Sequence, residues 1–318
     1  MTTDTPWSVL SPLQLDRVQS IRSTFQHTEP TRYIVHPPPT QDKLRQATGC
    51  EPSMADQCTP VHSPFIVKDE DGRVVLVYAP DFLSSVSSAV AVDALLSQVA
   101  LKSPENDVRH SVIDPARLTR LYGEGRHGTL HCAAWMERGK PYRGPVISRE
   151  MQRTAHTNNA TTAFIHDLRT LKEDLSLLYA AVCPESWRRC VDRFLKLQKY
   201  VPSTTVLRTS AVDPWSSLAL VSNLPSHIHR DVNDAHEDLS GLGCCGTFKE
   251  AWLVLYTLGI KLRYRPQDAV LLNTNVIPHF VDWDSGDEPA TRHSMSFFNH
   301  QDVWDWVKNE YERRKALR

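Results

Sequence analysis

The sequence predicts an α+β protein with an antiparallel double-stranded β-helix, or jelly roll, as its core and helices buttressing it. Three observations predict this. The chain has 318 residues, 41% of them apolar, long for one domain and short for two, so one elaborated domain with a sizeable core is expected. From Ala163 the apolar residues repeat with a helical period. From residue 215 the period changes to two, and seven short strand-like runs follow in roughly 85 residues, the mark of a sandwich or barrel.

The elements follow in order. Residues 1–62 are polar and proline-bearing, with "HPPPTQDKLRQATG" at 36–49, and read as an irregular N-terminal arm. Residues 63–318 read as the main domain, with helical support over about 91–200 and the jelly-roll core over about 215–300. "SPFIVKDEDGRVVLVYAP" (63–80) predicts two strands around an Asp-Gly turn, and "AVDALLSQVALK" (91–102) a helix. Phe164, Leu168, Leu171, Leu175 and Leu178 fall at steps of four and three and line one helix face. Pro184 interrupts the pattern; a second helix then buries Trp187, Val191, Phe194 and Leu197. The strand candidates are 216–223, 226–231, 252–258, 260–265, 268–274, 277–282 and 292–299, with "RPQD" (265–268) as a tight turn. A helix over 301–316 closes the chain.

Composition excludes several function classes. The formal net charge is −1, so the molecule is no polyelectrolyte binder and any nucleic-acid contact needs a local patch. One basic row exists on the second helix: Arg188, Arg189, Arg193, Lys196 and Lys199. A solvated face is its plain reading and a phosphate-contacting surface the alternative. Seven cysteines without a CxxC pair fit reduced thiols better than disulfides or structural zinc. "MTTDTPWSVLSPLQ" has no basic-then-apolar signal segment, and no apolar run approaches the ~18 residues of a membrane helix. A soluble intracellular protein is expected. No P-loop, GxGxxG or GxSxG motif occurs.

The chemistry concentrates in "SHIHRDVNDAH" (226–236). H-x-D occurs three times: His229/Asp231, His236/Asp238 and His300/Asp302. A non-haem iron site needs two histidines and one carboxylate on one face of the metal. On a strand, residues i and i+2 point the same way, so His229 and Asp231 can face the interior together. His236 and Asp238 lie in a turn-rich stretch, and His300 has no later histidine to complete a set. His279, 48 residues after Asp231, is the third-ligand candidate; a satisfied core histidine is the alternative. On the last strand, period two puts Arg292, Ser294, Ser296, Phe298 and His300 on one face, with Met295 and Phe297 on the other. An arginine directed into a barrel is costly without a partner, and an anionic ligand would supply one.

H-x-D, a distal His and an Arg 13 residues later resemble the 2-oxoglutarate- and Fe(II)-dependent oxygenases. Within them, "HIHRDVND", "LGIKLRYRPQDAVLLNTNVIPHFVDWDSGDEPATRHSMSFFNHQDVWDW" (258–306) and, more loosely, "HCAAWMERG" (131–139) resemble the TET/JBP family in its small single-domain form. Members of that family oxidise the methyl group of a base in DNA. The good coverage is residues 215–306, 92 of 318.

The resemblance implies roles position by position. His229, Asp231 and His279 would hold Fe(II), while Arg292 and Ser294 would clamp the C5 carboxylate of 2-oxoglutarate. Phe298 would stack on a flipped-out base, and His300 would hydrogen-bond the base edge or the cosubstrate. Asp234 would accept from an exocyclic amino group, which favours cytosine or adenine over thymine without choosing between them. The plain alternatives are a core aromatic, a strand-end polar residue and a turn residue. The expected substrate is double-stranded DNA with a methylated base, 5-methylcytosine first, which would place the protein in the nucleus. N6-methyladenine demethylation, hydroxylation of a metabolite or peptide, and a non-catalytic binding module stay open. The resemblance identifies no partner for the C1 carboxylate.

Overall fold

The structure is a computed structural model that describes residues 9–26, 31–32, 39–47, 50–84, 86–102, 114–140, 143–152, 154–283 and 290–317. It is α+β, with helices packed on two largely antiparallel sheets.

The larger sheet has nine strands. From one edge these are β1 (Thr31–Arg32), β3 (Phe65–Lys68), β4 (Val74–Ala79), β11 (Ala269–Leu272), β8 (Ser240–Gly246), β13 (Arg292–Phe298), β7 (Ser217–Ser222), β5 (Gly128–Met136) and β6 (Pro145–Ile147). The smaller sheet runs β12 (Phe280–Asp282), β9 (Trp252–Leu255), β10 (Ile260–Arg263) and β2 (Thr59–Val61). Two edge pairs, β1 with β3 and β10 with β2, are parallel, against the all-antiparallel expectation; both involve arm strands. After β8 the chain crosses to the smaller sheet for β9 and β10. It returns for β11, crosses again for β12 and returns for β13. Leu76, Tyr78, Leu253, Leu262 and Leu272 form an apolar cluster shared by the two sheets.

Helices cover the outer face of the large sheet. The predicted helical period resolves into α7 (Ala155–Asp167) and α8 (Arg169–Val182), broken at Leu168. Next comes α9 (Pro184–Tyr200), which starts at the predicted proline and buries Trp187, Val191, Phe194 and Leu197. Its basic row is largely tied into the protein: Arg188 pairs with Asp192 at 3.1 Å, Arg189 with Glu237 at 3.7 Å and Arg193 with Asp238 at 3.7 Å. Lys196 sits over the Tyr311 ring at 4.4 Å. The helix expected over 91–102 is α4 (Val86–Leu96), one turn earlier. The closing helix, α10, spans Gln301–Ala316 as expected.

Three expectations need correction. The arm is not irregular throughout: α1 (Pro12–Phe25) has a capping box between Ser11 and Gln14, and Val18, Ile21 and Phe25 enter the main core. The short helix α3 (Glu51–Asp56) is also ordered on the body. Residues 226–231 form no strand; their only pairing of that kind is the isolated bridge between His229 and His279. Five strands escaped prediction: the short β1, β2 and β6, the longer β5, and the central β8, "SGLGCCG". In β8 the glycines answer to packing. A Cβ on Gly241 would lie 2.8 Å from the Trp215 ring, and one on Gly243 3.1 Å from Leu171 of α8. None of the described helices is long and apolar enough to cross a membrane.

Candidate metal centre and cavity

A cavity of about 480 Å³ lies between the two sheets. Its walls come from β13, β7, β5, the 226–234 segment and the His279 region. All eight residues singled out in the sequence line it: His229, Asp231, His279, Arg292, Ser294, Asp234, Phe298 and His300.

His229, Asp231 and His279 converge, with their ligand-capable atoms all within 4.8 Å of one another. Asp231 Oδ1 lies 3.8 Å from His229 Nε2, and its Oδ2 lies 3.7 Å from His279 Nε2. The backbone creates this meeting. His229 N donates to the His279 carbonyl at 3.0 Å and His279 N to the His229 carbonyl at 2.9 Å, a hydrogen-bonded antiparallel pair that sets the rings side by side. Ser226 Oγ accepts from Val281 N at 3.0 Å, so a side chain takes the place of the next ladder bond and the strand goes no further.

The tautomers follow from the partners. His229 Nδ1 lies 2.7 Å from the His227 carbonyl and His279 Nδ1 3.0 Å from the Ile277 carbonyl. A carbonyl only accepts, so each Nδ1 carries the proton, and in the neutral ring Nε2 offers its lone pair to the same point. Two imidazole nitrogens and a carboxylate at that point make a donor set suited to Fe(II), with other coordination positions left open. His227 is in turn held from the arm: Glu51 Oε1 accepts from His227 Nδ1 at 3.0 Å.

Arg292 stands in the cavity wall, 1% exposed. Its guanidinium lies over Phe248 at 5.5 Å and Tyr264 at 5.1 Å. Among the described residues it makes no ion pair, and Nε and Nη2 have no hydrogen-bond partner of normal geometry, nor has the buried Ser294 Oγ. Burial pushes the neighbouring Tyr264 hydroxyl far up, so it stays neutral and offers no charge to Arg292. A buried cation stacked on two rings, with the Ser294 hydroxyl beside it, is a receptor for an anion with an accepting edge. The predicted row is borne out in its geometry: Met295 and Phe297 point the other way, into the helix-side core.

The three H-x-D motifs separate by environment. Asp238 accepts from Trp304 Nε1 at 2.7 Å and Asn299 Nδ2 at 3.1 Å, a structural role. His300 stands at the first position before α10, without a side-chain cap bond, and packs edge-on against Phe298, ring centroids 5.1 Å apart at 85°. Burial lowers its pKa, favouring a neutral ring. Asp234 is buried; its Oδ2 accepts from Thr274 Oγ1 at 2.6 Å and Ser240 Oγ at 3.3 Å, so the acceptor is held in place.

Sequence reasoning missed two cavity residues. His131 and Trp135 of β5 lie at 6.2 Å, and Trp135 faces His300 at 6.4 Å, so an aromatic wall continues from Phe298 across the cavity. The signal was "HCAAW" (131–135), where the two residues that reach the cavity are four apart and so share a strand face.

Neither a protein-family model nor a curated protein sequence matches the chain. A search of solved structures finds similarity to NgTET1 in complex with 5mC DNA, with a TM-score of 0.54 and 17% sequence identity. The match covers 96% of this chain and 98% of that one, and it shows that the two share a fold over nearly their whole lengths.

Proposed function

We propose that this protein is a 2-oxoglutarate- and Fe(II)-dependent dioxygenase that oxidises the methyl group of a modified DNA base. The observation that carries the reading is one cavity holding both a His-Asp-His cluster and a buried arginine with no anionic partner among the described residues. The alternation of the chain between sheets supports a double-stranded β-helix, with residues 63–318 as the oxygenase unit and 1–62 as an arm laid on it.

O2 would be the oxidant: with Fe(II) and 2-oxoglutarate bound, one oxygen atom would enter the C–H bond and the other the succinate formed as 2-oxoglutarate loses CO2. The chain's own residues do the rest. His229, Asp231 and His279 hold the metal; Arg292 and Ser294 hold the far carboxylate of the cosubstrate. Phe298, braced by the His300 ring, presents an apolar face to an extruded base, and stacking there offsets the few kcal/mol of flipping. Asp234 accepts from the exocyclic amino group, and Thr274 and Ser240 keep its carboxylate in place.

The similar structure is bound to 5mC DNA, so 5-methylcytosine comes first, with stepwise conversion to 5-hydroxymethyl-, 5-formyl- and 5-carboxylcytosine. Asp234 serves an adenine amino group equally well, which keeps N6-methyladenine as the second substrate. A DNA substrate would place the protein in the nucleus. The test is mass spectrometry of duplexes carrying either base, incubated with Fe(II) and 2-oxoglutarate. Oxidised cytosine is expected, and it should vanish in His229→Ala. Succinate release driven by a metabolite or peptide, with both duplexes unchanged, would move the substrate away from DNA. No turnover with any of them would leave a binding module.

A further inference from the structure

The segment that carries both functional carboxylates, Asp231 and Asp234, has no strand or helix to hold it. Its backbone carbonyls nevertheless turn inward, where each needs a donor. Backbone donors serve two of them, Asp234 N to Asp231 O and Gln301 N to Asn233 O, both at 2.9 Å; beyond these, three converge on one side chain. Asn275, 6% exposed, directs Nδ2 at the carbonyls of Val232 (2.9 Å), Asp234 (3.1 Å) and Asp231 (3.4 Å). An amide has two N–H bonds, so three acceptors share them and the amide is saturated. The other groups of Asn275 are spent on the same segment. Its Oδ1 lies 3.0 Å from His236 Nδ1, and its backbone carbonyl accepts from Arg230 Nη1 at 2.8 Å. The two preceding residues add to the cradle: Thr274 O accepts from Asp231 N at 3.0 Å, and Asn273 Nδ2 donates to the His236 carbonyl at 2.8 Å.

We propose that Asn275 is a positioning residue that sets the Asp231 carboxylate against the two histidine nitrogens by gathering the backbone of residues 231–234. The need is geometric. His229 and His279 are fixed by their mutual backbone bonds, but Asp231 lies beyond the bridge, at the start of the turn. A carboxylate on an unrestrained turn would spread over several positions, and metal affinity falls with that spread. The turn also opens towards solvent, with Val232 44% exposed, so solvent-side packing supplies little restraint. The inference rests on the reading of His229, Asp231 and His279 as a metal site.

The test is Co(II) binding to the metal-free protein, followed by visible absorption and calorimetry, which needs neither oxygen nor DNA. Asn275→Asp keeps the size and removes both donors, setting a carboxylate against three carbonyls. Asn275→Ser is the second variant, milder in charge. Ser11→Ala is the control: it removes the α1 cap bond to Gln14 N and leaves every Asn275 contact in place. Circular dichroism and a melting curve report the fold. Affinity for Co(II) should fall about 10–100-fold in whichever Asn275 variant remains folded, with a changed absorption envelope, while Ser11→Ala stays within about threefold of wild type. Folded Asn275 variants that bind Co(II) like wild type, with the same spectrum, overturn the inference and leave the metal site standing. A wild-type protein that takes up no Co(II) overturns both.

Discussion

Replacing Arg292 by methionine should stabilise the ligand-free protein and abolish its response to 2-oxoglutarate. Methionine nearly matches the length of the aliphatic stem, so the swap changes charge more than volume. The side chain is 1% exposed, makes no ion pair among the described residues, and leaves Nε and Nη2 unpartnered. A buried charge without a partner carries a desolvation penalty of several kcal/mol. Stacking on Phe248 and Tyr264 returns about 0.5–2 kcal/mol per ring. The balance favours Arg292→Met by about 1–2 kcal/mol before ligand binds. An unfolding entropy of about 2.1 cal/mol/K per residue makes each kcal/mol worth about 1.5 °C in a 318-residue chain. The variant should therefore melt about 1.5–3 °C above wild type when ligand-free. In wild type, 2-oxoglutarate at a hundred times its Kd, with Mn(II) in place of iron, should add about 2.7 kcal/mol, or about 4 °C. In the variant that increment should fall below about 1 °C. Scanning fluorimetry with and without cosubstrate reads both. An undiminished cosubstrate shift in Arg292→Met would refute the anion-receptor argument. A ligand-free melt several degrees below wild type would refute the claim that the charge is a net cost.

Other outcomes follow from the same structure. Burial pushes the His293 pKa down to about 4, below the ordinary 6.5, so the folded state holds a neutral ring. Its contribution is complete above pH 6.5 and is lost as pH falls from 6.5 to 4, up to about 3 kcal/mol; denaturant titrations across that window should flatten in His293→Gln. Gly241→Ala would press a methyl group against Trp215 in the central strand and should cost about 1–3 kcal/mol in urea unfolding. Asp234→Ala should damage discrimination among methylated bases more than it damages 2-oxoglutarate turnover without DNA. Equal loss of both, by succinate assay beside mass spectrometry, would remove its reading role.

The three residues of the candidate metal centre were legible because their chemistry is sparse: two residues in an H-x-D pair and one distal histidine. The local reason given for them was only partly right. His229 and Asp231 were expected to share a strand face, yet 226–231 is no strand, and the turn held by Asn275 brings Asp231 round. Period two did predict the β13 row, because an antiparallel partner on each side, β7 and β8, enforces it. β8 itself was invisible. Its sequence, "SGLGCCG", lacks the β-branched and aromatic residues that announce a strand, since Trp215 and Leu171 occupy the space beside its glycines. The first helix was missed for another reason: only Val18, Ile21 and Phe25 are buried, a stripe too thin to stand out, although "SPLQ" at its start is a cap signal.

The arm has a practical consequence. β2 runs alongside β10 as the outermost strand of the smaller sheet, and Leu44, Ala55 and Cys58 cover Ile228, Val254 and Phe280. A chain truncated at the 62/63 boundary would bare the flank of β10 beside a greasy patch, inviting a second copy to add its own strand there. Trimming to the apparent domain would thus yield aggregates, and would strip Glu51 from beneath His227 as well. Because α1 also puts Val18, Ile21 and Phe25 into the main core, the shortest well-behaved version must begin at or before Ser11.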